Sequence, residues 1–147
     1  FVASSTITNP ADFRRYTTRK FKFNFGSDVP LIRTAEMILI DAEALARTPG
    51  KEAEAHDLLY ALQKNRVANA VKSTNTGAAL IDEILLERRK ELAFEGFRFD
   101  DLVRNGQGIP TNPKLTTARA YGNSNLAFPI PQSEINGNTV MIQNAGY

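Results

Sequence analysis

Acidic and basic side chains crowd one stretch of this chain. Glu87, Glu91, Glu95 and Asp101 alternate with Arg88, Arg89, Arg98 and Arg104. Two carboxylates on one helix face are the equipment of a glycoside hydrolase, one protonated as the acid and one ionised. The cations argue against that chemistry. Each acid has a cation three or four positions away, close enough on a helix to lower its pKa and hold it ionised. An ionised carboxylate cannot act as a general acid. The pattern therefore predicts a structural ion-pair network of Glu87, Arg88, Glu91, Glu95, Arg98 and Asp101, with no catalytic residue in it. Other routes to chemistry are as bare. His56 is the only histidine, which rules out paired-histidine metal motifs and leaves a triad possible only with His56 as its base. Beside Asp57, early in a predicted helix, it reads as a solvated helix residue. Gly106-Gln107-Gly108 lacks the lysine of a phosphate loop, and no G-x-S-x-G elbow is present. The expectation is a protein that is not an enzyme and uses no cofactor and no metal.

The acids need an element to carry them. Residues 77–106 predict one long helix, and at ~1.5 Å per residue its stretch of about 25 residues would approach 40 Å. Ile81, Leu85, Leu92, Phe99 and Val103 fall on one face, while Leu86, Ala93, Phe94 and Phe97 point elsewhere. A helix apolar on several sides is expected to be a buried strut. Gly96 stands on the main apolar face, and a mid-helix glycine predicts close backbone contact with another element.

Residues 31–67 predict a helix pair. Pro30 suits the first turn of a helix, and Leu31, Ile32, Ala35, Ile38, Leu39, Ala42, Leu45 and Ala46 make one apolar face. Glu43 and Arg47 form an i,i+4 pair, and Thr48-Pro49-Gly50 stops the helix. A second helix over 51–67 turns Ala55, Leu58, Leu59 and Leu62 inward. A tight link and small residues at the crossing resemble a tetratricopeptide unit. Thr74, Asn75 and Thr76 are N-cap candidates for the long helix. Upstream, residues 1–30 read as an extended arm with a strand over 16–25, where Phe21, Phe23 and Phe25 alternate with Lys20, Lys22 and Asn24. Downstream, residues 107–127 form a Gly-, Pro- and Asn-rich loop, of the length that is either functional or disordered. Residues 128–147 predict a tail docked on the helices through Phe128, Ile130, Ile135, Ile142 and Tyr147. The fold class expected is mainly α, in a single domain spanning 1–147.

Composition narrows the partners. The chain of 147 residues is 42% hydrophobic and 23% charged, with a formal net charge of +2, the profile of an ordinary globular domain. Basic and acidic residues intermingle, so no stripe tracks a phosphate backbone and nucleic acid is not an expected partner. There are no cysteines, so disulfides and thiolate metal sites are excluded within the chain. No apolar run approaches the ~18 residues of a membrane span.

The stretch Glu87-Arg88-Arg89, Glu91-Leu92, Phe94-Glu95-Gly96, Arg98, Asp101-Leu102, Arg104, Gly106 resembles the hallmark helix of the SusD/RagB family, with Asp100 where an aromatic residue is usual. The closing Pro-Ile-Pro, Glu-Ile and Gln-Asn-x-Gly-Tyr sequence resembles that family's end, and RTAEMILIDAEALA resembles the segment ahead of its hallmark helix. The resemblance implies an outer-membrane nutrient-binding lipoprotein at the cell surface, partnered with a SusC-like TonB-dependent transporter. Its cargo would be an oligosaccharide, less often a peptide. It also implies that the chain corresponds to roughly the last third of a longer protein, with the lipid-bearing start outside it. Within this chain, Tyr121, Asn123 and Asn125 in the long loop are the candidate ligand-binding residues. The alternative is a free-standing tetratricopeptide-like interaction module binding an extended peptide. The upstream gene distinguishes the two: a lipoprotein signal with its cysteine, or a start codon near Phe1.

Overall fold

Ala35, Leu39, Ala42 and Ala46 recur at helical spacing, and all four are buried. They form the inner face of α1 (Thr34–Ala46) in a computed structural model that describes residues 2–3, 16–17, 20, 31–111 and 117–147. The chain divides into two compact units, Phe1–Thr34 and Ala35–Tyr147. In the first, β1 (Val2–Ala3) pairs antiparallel with β2 (Tyr16–Thr17), Val2 opposite Thr17. Of the strand expected over 16–25, Phe21, Phe23 and Phe25 lie outside the described residues.

The second unit is helical. α2 (Glu52–Gln63) follows α1 after a short turn, and Ala55, Leu59 and Leu62 close against the α1 face. Four alanines in this core, Ala35, Ala42, Ala46 and Ala55, let the helices approach closely. Leu80 and Ile84 of α3 (Gly77–Glu91) complete the cluster, both fully buried. Burying a leucine-sized side chain stabilises the fold by about 1.5–3 kcal/mol, so Leu39, Leu59, Leu80 and Ile84 are the main apolar contribution here. The mainly α class is as expected. Two boundaries shift: α1 starts at Thr34, leaving Leu31 and Ile32 86% and 76% exposed, and α2 ends at Gln63. Thr76 takes the N-cap position of α3, but its side chain makes no cap bond. Glu52 of α2 accepts the Gly77 N–H instead, at 2.8 Å.

The long helix over 77–106 is corrected. α3 stops at Glu91, and α4 (Arg98–Arg104) begins after a break. Phe94 and Gly96 hold positive φ values of 66° and 91°, and a right-handed helix cannot run through either. Among the described residues Gly96 has no close backbone contact: a Cβ there would meet nothing within 4 Å. The glycine serves the turn, not a crossing.

Beyond α4, Ile109 and Arg119 bond each other's backbones at 2.8 and 2.9 Å. Gly108 lets them, since a Cβ there would lie 2.0 Å from the Arg119 carbonyl oxygen. A short 3₁₀ turn (Ser124–Leu126) and α5 (Gln132–Gly137) complete the chain. The tail is held differently from the way expected. Phe128, Val140 and Ile142 are each more than 80% exposed, and the Phe128 ring meets Phe99 at 6.0 Å. Amide side chains do most of the holding. Gln143 accepts from Ile130 N–H and donates to its carbonyl, at 2.9 and 3.0 Å. Asn144 donates to the Phe128 carbonyl and Tyr147 to that of Ala127. Among the described residues no helix is long and apolar enough to cross a membrane.

Candidate functional site

The α3–α4 break decides where the charges meet. In an unbroken helix, Arg88 and Asp101 would stand 13 positions and ~20 Å apart. The turn at 92–97 folds α4 back, and the Arg88 Nε reaches both Asp101 oxygens at 3.2 Å, with side chains only 5% and 6% exposed. Asp101 also accepts from Arg104 at 2.6 Å. Arg104 then forks across to Glu43 of α1, two bonds of 2.7 Å, and Glu43 takes Arg47 as well at 2.8 Å. Arg88, Asp101, Arg104, Glu43 and Arg47 thus form one chain of ion pairs across three helices, beside a cavity of about 430 Å³ bordered by Ile40 and Ala44.

Burial and the arginines oppose each other at Glu43. Burial raises its carboxyl, but the hydrogen bonds from Arg104 and Arg47 outweigh it and leave the pKa below the ordinary value. Arg104 moves the other way: its bonds to Glu43 raise it above an ordinary arginine. Both groups stay charged at neutral pH, so Glu43 cannot donate a proton.

A second cluster joins α2 to the end of α3. Arg66 clasps Glu91 with two bonds of 2.9 and 3.0 Å, which raises the arginine's pKa. Glu87, nearly buried, accepts from Lys90 at 3.1 Å and Gln63 at 3.4 Å. Beside it lies a cleft of about 440 Å³, edged by Val67, Ala70, Val71 and Glu83. Among the described residues none that lines it is aromatic.

The residues singled out from sequence therefore separate into two clusters, around Asp101 and around Glu91. Glu95 lies in the turn between α3 and α4, partly buried. Arg98, expected within the network, is exposed and feels the charge of Asp101, with no direct ion pair among the described residues. Sequence reasoning missed Arg66, whose partner lies 25 positions on with nothing local to signal it. It saw Glu43 only as a partner of Arg47. An acid between the buried Ala42 and Ala46 was the available sign of a buried cross-helix pair.

Tyr121, Asn123 and Asn125 sit together before and within the 3₁₀ turn. Tyr121 is 60% exposed. The Asn123 side chain accepts the Asn125 N–H at 2.9 Å, fixing the turn. The Asn125 side-chain oxygen faces Ser124 Oγ at 3.3 Å.

Comparison with known proteins agrees with this architecture. Residues 13–147 match the model of the SusD family, and the chain belongs to that family. It is 37% identical over 131 residues to the starch-binding protein SusD of Bacteroides thetaiotaomicron, an alignment covering 82% of this chain and 22% of that protein. A SusD-like protein of Formosa agariphila is 36% identical over 91 residues, 56% of this chain and 18% of its own length. A solved SusD superfamily structure from Bacteroides vulgatus superposes with a TM-score of 0.68 at 29% identity, over 82% of this chain and 28% of that one. The chain thus spans about a fifth of the length of the curated relatives it matches.

Proposed function

We propose that this chain is the helical part of a longer, non-catalytic glycan-binding protein of the SusD type. The whole protein works at the outer membrane, on the cell surface, held by a lipid anchor outside residues 1–147. It passes an oligosaccharide to a SusC-like TonB-dependent transporter. The observation that carries this reading is the family match over residues 13–147, together with the starch-binding role in the name of the Bacteroides thetaiotaomicron relative. The electrostatics agree with it: the carboxylates that could have done acid–base work are tied to arginines.

Within the chain, Tyr121, Asn123 and Asn125 are the proposed sugar contacts. An exposed aromatic ring offers the apolar face that a pyranose stacks on, and asparagine amides suit the hydroxyl rim. The test is a glycan array on the complete protein, with this chain alone and its Tyr121→Ala variant beside it. Enrichment of a neutral oligosaccharide, weakened by Tyr121→Ala, is the expected result. A complete protein that captures no glycan above background overturns the reading.

A further inference from the structure

Two arginines of the charged stretch, Arg89 and Arg98, stand outside both clusters. Both are exposed, and neither forms an ion pair among the described residues. They border one cavity of about 190 Å³ at the α3–α4 turn, together with Arg88, Phe94 and Phe97. Among the described residues Asp101 is the only carboxylate lining that cavity, and it is already engaged by Arg88 and Arg104. The cavity wall thus carries an excess of positive charge. Beneath it, Arg88 is 95% buried by side chain, 5% being exposed, and its Nη1 has no hydrogen-bond partner among the described residues. A buried donor left in that state is costly. Partial burial first, and the charge of Arg89 second, pull Arg98 below the ordinary arginine pKa, with Asp101 opposing them only in part.

We propose that this cavity is an oxyanion site for the carboxylate of a small organic acid or sugar acid, held by Arg89 and Arg98 with Arg88 behind them. The planar guanidinium fork matches a carboxylate and can bond it twice. Asp101 in the same wall disfavours a dianion more than a single negative charge. The exposed Phe94 ring supplies an apolar edge for the rest of the ligand.

Glucuronate and glucose test this directly, because they differ in a carboxylate against a hydroxymethyl group on one ring. Calorimetric titration of the chain should show glucuronate binding that weakens as salt rises, and no matching glucose signal. Arg89→Gln and Arg98→Gln, both at exposed positions outside the ion pairs, should keep the helical circular dichroism. Each should weaken glucuronate by roughly tenfold or more, the loss expected for a charge-assisted hydrogen bond. Equal binding of the two sugars, or full glucuronate affinity in both variants, overturns the proposal. Tyr121→Ala should leave glucuronate binding unchanged, so this site and the neutral-glycan reading stand or fall separately.

Discussion

The helices and the tail of the second unit are held by opposite means. Between α1, α3 and α4, ionised side chains bond ionised side chains, Arg88 with Asp101 in a buried setting and Arg104 with Glu43 in a partly buried one. In residues 123–147, neutral amides and a phenol bond backbone groups, Gln143 with Ile130 and Tyr147 with Ala127. The first arrangement is intolerant of partial loss, since removing one partner leaves a buried charge. The second is forgiving, because any freed group in an exposed segment turns to water. The division leaves a body that fixes geometry and a surface segment whose contacts change at low cost.

Four measurements can break or sharpen the contrast. The largest effect should come from Asp101→Ala, which leaves Arg88 buried and uncompensated. A destabilisation of about 3–5 kcal/mol is expected by denaturant unfolding, and Arg88→Leu combined with Asp101→Leu should recover much of it. A loss below 1 kcal/mol would place this pair in the same class as the tail contacts. Next, Glu43→Gln weakens two charge-assisted interactions and should cost about 1–3 kcal/mol at neutral pH. The sign with pH follows from its depressed pKa. Its contribution is complete above the ordinary carboxylate range and disappears as pH falls through that range to the lower folded value. Wild type and Glu43→Gln should therefore converge in melting temperature on acidification; parallel curves would contradict the pairing.

Gly96→Ala should cost about 1–2 kcal/mol from its positive φ alone, and Gly96→Asn less, because asparagine tolerates that conformation. Were close packing the cause instead, both would be equally damaging. The smallest effect belongs to Tyr147→Phe, which removes the bond to the Ala127 carbonyl. Global stability should fall by no more than about 0.5–1.5 kcal/mol, while hydrogen exchange at 124–130 quickens and that of α1 does not.

The family, the helix pair and the charged stretch were all legible in the order of residues. Spacing of three and four gave the α1 and α2 faces, because a regular helix maps sequence distance onto a surface. The limits of that mapping appear at residues 92–97. Periodicity continued through them and suggested one rod, although Gly96 was also a stop signal of the kind that ends helices at a left-handed residue. Reading it as a packing glycine made the pairing of Arg88 with Asp101 invisible.

What the sequence determined alone was that the segments of α1, α2 and α3 become helical, and which residues of α1 and α2 turn inward once each helix has begun. Only the tertiary structure decided which acid meets which arginine. Local spacing reaches about one helical turn, whereas the bonds of Arg88 to Asp101, Arg66 to Glu91 and Arg104 to Glu43 span 13, 25 and 61 positions. Those distances close only because a left-handed turn reverses one helix and an alanine-lined core brings two others against it.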